Sequence, residues 1–210
     1  MQYVELKNNL KNFIVISTKD FKKEDPSFHV QRLTDWQDKG YLKKIVRGYY
    51  VFSDIEIDER VLCVIANEIY SPSYISLESA FSYYNLIPEG VYSITSVSPK
   101  KTTILKTFLG EFNYKKIKPE LIFGYRLIDY RGHNFKIAEI EKAVLDYFYI
   151  NPKVKTDNDF FEMRFNISAF KETVDMEKFN RYLRAFNNKS LEKRIKNFLK
   201  FINNADNRTN

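Results

Sequence analysis

The chain has 210 residues, 44% of them hydrophobic, with a formal net charge of +7 and an isoelectric point of about 9.2. The single cysteine, Cys63, excludes an intrachain disulfide, and no apolar run is long enough to span a membrane. No signal-peptide pattern opens the sequence, so we expect a cytoplasmic protein without a membrane partner. The basic balance by itself favours nucleic acid or an acidic membrane surface as a partner.

The first forty residues predict three helices. One covers residues 2–12, and a short one begins at Ser17 or Thr18 and ends before Pro26. A third runs from Pro26 to about Lys39, because Asp25 can cap it and proline is tolerated at a first helical position. Gly40 follows it as a helix-terminating residue.

A basic hairpin follows these helices. Residues 41–45 and 48–52 read as two strands on either side of a tight turn at 46–48. The order of short helix, turn, longer helix and basic hairpin is typical of a winged helix-turn-helix. The sequence therefore predicts that residues 1–57 form a DNA-binding domain.

The third helix has the two faces that a recognition helix needs. Val30, Leu33 and Trp36 recur at helical spacing and are predicted to pack inward. The opposite face carries the predicted base readers, with Arg32 as the main one and Gln31 beside it. The full predicted DNA-binding set is Ser27, Phe28, Gln31 and Arg32 on the helix, with Lys43, Lys44 and Arg47 on the hairpin contacting phosphates.

The rest of the chain predicts an α+β arrangement with a domain boundary at the acidic junction 53–58. Helices are predicted at 58–69, at 77–84 with Ser76 as cap, and at 138–149. Between them, strands are predicted at 92–98, 102–108, 112–117 and 121–128. Two further helices, capped by Asp175 and Ser190, run to about Phe186 and Ile202, before a polar tail at 203–210 that we expect to be frayed.

Few residues point to catalysis. The sequence has two histidines, no metal-ligand spacing, no glycine-rich phosphate loop and no cofactor motif, so we expect neither an enzyme nor a bound metal or cofactor. One alternative is a metal-dependent nuclease using Glu139, Glu141 and Asp146 beside Lys142, although a solvated helix face explains them better. Another alternative is a winged-helix protein-interaction module that binds no DNA.

Four motifs resemble one known family. They are PSYISLESA at 72–80, NLIPE at 85–89, TSV at 95–97 and IAEIEKAVLD at 137–146. These motifs, together with the N-terminal layout, are similar to the AbiEi family of antitoxins from type IV toxin–antitoxin systems that cause abortive infection. The resemblance covers roughly residues 5–150.

The resemblance implies a fold and a function. The fold is a winged helix-turn-helix followed by a mixed α/β antitoxin domain with antiparallel strands at 58–150 and a C-terminal helical extension at 151–210. The implied function is a transcriptional repressor that binds inverted repeats in its own promoter and counters a nucleotidyltransferase-type toxin without a stable complex. Glu78, Glu139 and Lys142 would belong to the antitoxin domain. The oligomeric state stays open, with a monomer that binds cooperatively as one possibility.

Overall fold

A computed structural model describes residues 2–88, 90 and 92–206 as a mixed α+β fold. Of the predicted tail, residues 203–206 belong to the last helix, and residues 207–210 lie outside the described residues. Among the described helices, none combines the length and the apolar character that crossing a membrane requires.

The N-terminal elements alternate helices with a small sheet. They are α1 (Tyr3–Leu10), β1 (Ile16–Ser17), α2 (Thr18–Glu24), α3 (Arg32–Asp38), β2 (Leu42–Val46) and β3 (Tyr49–Phe52). The three strands are antiparallel in the order β1-β3-β2. The predicted start of α2 is confirmed: the Ser17 hydroxyl accepts the Asp20 N–H, and the Asp20 carboxylate accepts the Ser17 N–H at 2.7 Å.

The start of α3 differs from the prediction. Asp25 does not cap a helix that begins at Pro26. Its carboxylate instead accepts the Ser27 hydroxyl at 2.6 Å and the Ser27 N–H at 3.1 Å, which closes a local turn. The chain therefore continues in turns until α3 begins at Arg32.

The end of α3 is as predicted. Gly40 has a φ of +71°, the left-handed conformation that glycine adopts without a Cβ penalty. The Gly40 N–H donates to the Gln37 carbonyl at 2.9 Å, and the Tyr41 N–H donates to the Trp36 carbonyl at 2.8 Å. These two bonds are the Schellman pattern, which leads the chain directly into β2.

A six-stranded mixed sheet forms the middle of the chain. Its strands are β4 (Tyr74–Ile75), β5 (Ser93–Ser98), β6 (Thr103–Thr107), β7 (Gly110–Lys116), β8 (Tyr125–Tyr130) and β9 (His133–Ala138), in the order β6-β7-β5-β4-β9-β8. The flanking helices are α4 (Glu59–Ile69), α5 (Leu77–Tyr83) and α6 (Ile140–Ile150).

The predicted antiparallel pairing needs a correction. The pairs β5–β7 and β4–β9 are parallel, and the other pairs of this sheet are antiparallel. Because β6 folds back on β7 as a hairpin at the sheet edge, β7 runs in the direction of β5 and pairs with it. The predicted strand at 121–128 is also wrong in its first half: Leu121 ends a 3-10 turn, and residues 122–124 precede the strand, which begins at Tyr125.

Four helices described at the C-terminal end complete the fold: α7 (Asp157–Glu162), α8 (Ile167–Thr173), α9 (Met176–Phe186) and α10 (Lys189–Asp206). The Asp175 cap of α9 is confirmed, since its carboxylate accepts the Lys178 N–H at 3.0 Å. The predicted Ser190 cap of α10 is wrong. Asn188 accepts the Leu191 N–H at 3.0 Å instead, and Ser190 lies inside the helix.

Among the described residues, the buried apolar side chains form two clusters. The small core lies between α1, α2, α3 and the three-stranded sheet and includes Phe21, Leu33 and Trp36. The large core joins the six-stranded sheet to α4–α6 and to the C-terminal helices. Ile45 and Val51, from the three-stranded sheet, belong to the large core, so the two cores share that sheet. The domain boundary at 57/58 stays a prediction.

Candidate nucleic-acid interface and buried charge cluster

The predicted DNA-binding residues do not share one environment. Phe28 is buried, and Arg32 is half-buried. The remaining five are exposed: Ser27, Gln31, Lys43, Lys44 and Arg47.

Phe28 belongs to the small core. Its ring stacks on Phe21 at a centroid distance of 5.2 Å and an interplanar angle of 15°, and lies 5.5 Å from Trp36. The prediction that Phe28 lies on an exposed reading face is therefore wrong. Val30, predicted to pack inward, is 45% exposed. Both errors have one cause: residues 26–31 precede the helix as turns and irregular backbone, so helical spacing does not assign their faces.

Arg32 holds the start of α3 against the small core. Its guanidinium carbon lies 5.1 Å from the centroid of the Trp36 ring and 5.5 Å from that of Phe28. One guanidinium nitrogen is 3.7 Å from the Asp25 carboxylate. Hydrogen bonds from Ser27 lower the pKa of Asp25, which keeps the carboxylate charged beside Arg32. This geometry gives Arg32 a positioning role within the protein.

The polar side chains that remain at the start of α3 are smaller. His29, Gln31 and Thr34 are exposed. Gln31 occupies the N-cap position without a side-chain capping bond. Asp35, one turn beyond Gln31, is exposed and acidic. Because Asp35 belongs to the first turn of α3, the exposed side chains at this end of the helix are polar or acidic rather than basic.

The hairpin presents its basic residues beside α2. A two-residue loop, Arg47 and Gly48, joins β2 to β3, and the Thr18 N–H donates to the Gly48 carbonyl at 2.9 Å. Lys44 and Arg47 are exposed. The Lys43 ammonium instead lies 5.6 Å from the ring centroid of Phe108, in the turn between β6 and β7.

Helix α2 adds positive charge that sequence reasoning did not single out. Lys19, Lys22 and Lys23 are exposed on this helix, whereas Phe21 between them is buried. The helical spacing of these lysines opposite the apolar Phe21 indicates an exposed basic face on α2 from the sequence alone. Because the Thr18 N–H bonds the hairpin loop, α2 begins beside Arg47, and its lysines add to the exposed basic residues of the N-terminal elements.

A second cluster of polar residues lies inside the large core. Lys142 and Asp146 form an ion pair one turn apart on α6, and neither side chain is exposed. The Lys142 ammonium also donates to the Tyr74 hydroxyl at 2.7 Å. The Tyr74 and Ser76 hydroxyls each donate to Asp146 at 2.9 Å. The sequence predicted that the Ser76 side chain caps α5. In the structure the Ser76 hydroxyl bonds Asp146 instead.

Aromatic rings enclose the ammonium of this pair. Lys142 Nζ lies 4.9 Å from the centroid of the Phe186 ring and 5.0 Å from that of Phe123. Burial lowers the pKa of Lys142 and raises the pKa of Asp146, while their mutual attraction opposes both shifts. An enclosed ion pair of this kind organises the core and offers nothing to an external ligand. Lys142, predicted as an antitoxin-domain residue, is therefore not a surface residue.

Glu139 lies outside this cluster, at the start of α6. Its carboxylate accepts the Tyr182 hydroxyl at 2.6 Å and lies 3.6 Å from the Lys178 ammonium. Burial, and then the hydrogen bond to Glu139, raise the pKa of Tyr182 to about 12. Glu78, the third antitoxin-domain residue, is half-buried in the first turn of α5.

The carboxylates of the nuclease alternative have different partners. Asp146 faces Lys142, whereas Glu141 accepts the Asp175 N–H at 2.8 Å and lies 3.4 Å from Lys178. Within residues 2–88, 90 and 92–206, no three His, Cys, Asp or Glu side chains are grouped in a way that could hold a metal ion. The arrangement gives the nuclease alternative no support.

Cys63 borders a cavity of about 480 Å³ between α4, α5 and β5. Burial raises the pKa of its thiol to about 12. The thiol is therefore protonated near neutral pH and is a weak nucleophile.

Comparison with models of known protein families gives no match for this chain, and comparison with curated proteins gives none either.

Proposed function

We propose that this chain is a DNA-binding transcriptional repressor whose N-terminal elements act as a winged helix-turn-helix. The observation that carries the proposal is the order α1–β1–α2–α3–β2–β3 with the sheet order β1-β3-β2. In helix-turn-helix proteins the second helix of the pair enters the major groove while the first crosses the backbone. Here these roles fall to α3 and α2.

The exposed side chains divide into two kinds of contact. Gln31, with His29 and Thr34 nearby, is positioned to meet base edges, because a glutamine amide pairs with adenine N6 and N7. The phosphate contacts come from the lysines of α2 and from the hairpin. Arg32, engaged with Trp36 and Asp25, supports the start of α3.

The test begins with selection of duplexes from a randomised DNA pool by the full chain. We expect an enriched motif, and binding to it that weakens steeply with salt. Replacing Lys44 and Arg47 with alanine lowers the slope of log affinity against log salt by roughly one unit per lost phosphate contact.

A matched double variant supplies the control. Lys153 and Lys193, exposed residues of the C-terminal part, are replaced with alanine and remove the same net charge. Their slope stays at the wild-type value if the hairpin makes the contacts. Equal slopes for the two double variants, or no enriched motif, would refute the interface.

We further propose that the chain is the antitoxin of a nucleotidyltransferase-type toxin, which rests on the four motifs of residues 72–146. Of its antitoxin-domain residues, Glu78 and Glu139 are half-buried and Lys142 is fully buried in its ion pair with Asp146. The test is genetic: a neighbouring nucleotidyltransferase gene is induced with and without this chain. Relief of growth arrest supports the proposal, and persistent arrest in the presence of folded chain contradicts it.

A further inference from the structure

A groove lies along α9 and α10, and none of the residues named above for DNA binding lines it. The chain turns between the two helices at Asn187, which has a φ of +46°. The groove consists of two cavities of about 730 and 320 Å³, which share Leu199 and Asn203 as lining residues. From Glu192 to Asn203 on α10 the groove is roughly 16 Å long, at the rise per residue of an α-helix.

The floor of this groove is apolar. Leu183 and Leu199 are half-buried along it, and Met176 at one end is 40% exposed. Met176 and Leu183 lie two turns apart on α9, and Leu199 on α10 lines both cavities, so the apolar side chains extend along the groove. An apolar stripe between two helices is the surface on which an amphipathic helix lays its own apolar face.

The rim of the groove is basic. Lys196 and Lys200, one turn apart on α10, line it, and Lys171 lines its other end. Among its described lining residues the one carboxylate is Glu192. No described carboxylate lies within ion-pair distance of Lys196 or Lys200.

We propose that this groove is a docking surface for an acidic amphipathic helix of a partner protein. Glutamate or aspartate beside the apolar stripe of that helix would meet Lys196 and Lys200. A second copy of this chain fits less well, because α9 also carries exposed Arg181 and Arg184 and two such surfaces would repel each other. A nucleic acid would gain the lysines but leave the apolar floor unmatched.

A labelled synthetic peptide tests the proposal on the full-length chain. The probe is a fourteen-residue helix former with leucines at helical spacing and glutamates flanking them, followed by fluorescence anisotropy. Two control peptides are used. One has the same composition with the leucine stripe scrambled, and the other has lysine in place of each glutamate. We expect micromolar binding of the first peptide and markedly weaker binding of both controls.

Variants of the chain locate the binding. Lys196→Glu combined with Lys200→Glu reverses two attractions and is expected to weaken binding at least about tenfold. Lys193→Glu is a control on the same helix, because Lys193 is exposed and lines neither cavity. We expect it to change affinity less than about twofold. Met176→Ser tests the floor without disturbing a buried side chain, and far-UV circular dichroism confirms that each variant is folded.

Three results would overturn the proposal. The scrambled peptide could bind as tightly as the amphipathic one, or Lys193→Glu could weaken binding as much as the double variant does. A duplex oligonucleotide could also displace the peptide and itself lose affinity in the double variant, which would make the groove a nucleic-acid surface. None of these readouts depends on the DNA-binding role of the N-terminal elements.

Discussion

Gln31 and Arg32 are neighbours in the sequence with different surroundings. Gln31 is exposed without a capping bond, whereas the Arg32 guanidinium covers the rings of Trp36 and Phe28. Helical spacing placed both on one reading face. The structure separates them, because the turn set by Asp25 brings Arg32 onto the small core.

We expect alanine substitutions to separate the two roles. Arg32→Ala removes two ring contacts and lowers the free energy of unfolding by about 1 kcal/mol. Gln31→Ala leaves stability unchanged and loses about 1–3 kcal/mol of discrimination at one base pair of the selected motif. Denaturation followed by fluorescence of Trp36, the one tryptophan of the chain, measures the first effect. Binding to single-base variants of the motif measures the second.

The opposite pattern would restore Arg32 as a base reader. It would consist of unchanged stability in Arg32→Ala together with lost discrimination at one position. Arg32→Lys sharpens the comparison, because it keeps the charge but loses the planar group that covers the rings.

The Lys142–Asp146 pair supports a second prediction at this scale. Removing one member leaves the other charge buried and unpaired, so Lys142→Met is expected to lower the free energy of unfolding by about 3–5 kcal/mol. Combining it with Asp146→Leu removes both charges and restores part of that loss. Chemical denaturation of both single variants and the double variant gives the coupling energy. Additive losses would contradict the pairing.

At the scale of elements, the structure agrees with the sequence where the signal is local. The Ser17–Asp20 box starts α2, Gly40 ends α3, and Asp175 caps α9 as predicted. Each of these depends on side-chain and backbone groups within a few residues. The prediction that Asp25 caps a helix was wrong for the same reason of local chemistry, because aspartate closes an isolated turn as readily as it caps a helix.

Elements that depend on distant partners were not predictable. β4 has two residues, and its pairing with β5 and β9 comes from the sheet rather than from its own pattern. The parallel pairing of β5 with β7 likewise depends on where β6 lies. In the candidate site, the sequence pattern did not predict the burial of Lys142, because a lysine on an amphipathic helix is usually solvated.

Gly40 provides a test at the element scale. Its φ of +71° disfavours a side chain, although nothing lies within 4 Å of an added Cβ. Gly40→Ala is therefore expected to lower the free energy of unfolding by about 1–2 kcal/mol through backbone strain alone. Gly90 is the matched control. Its added Cβ also meets nothing within 4 Å, but its φ lies outside the left-handed region that disfavours a side chain. Equal losses in the two variants would mean that strain is not the cause.

At the scale of the whole molecule, the C-terminal helices share a core with the sheet. The Phe198 ring of α10 lies 4.8 Å from Phe148 of α6 and 5.3 Å from Phe165, between centroids. The Arg194 guanidinium donates to the Phe148 carbonyl at 3.0 Å. The segment 151–210, predicted as an extension, therefore contributes buried side chains to the large core.

Phe198→Ala tests whether this shared core unfolds as one unit. Phe198 is fully buried, so the substitution is expected to lower the free energy of unfolding by about 3–5 kcal/mol. Phe161 on α7 is 75% exposed and serves as the matched control, with an expected change within about 0.5 kcal/mol. Hydrogen exchange of the β5 and β7 amides measures the local stability of the sheet, and chemical denaturation measures the free energy of unfolding of the whole chain. If the core is cooperative, these amides lose protection by the same free energy in Phe198→Ala. Protection that stays at the wild-type level while α7–α10 exchange rapidly would show instead that the helices open independently of the sheet.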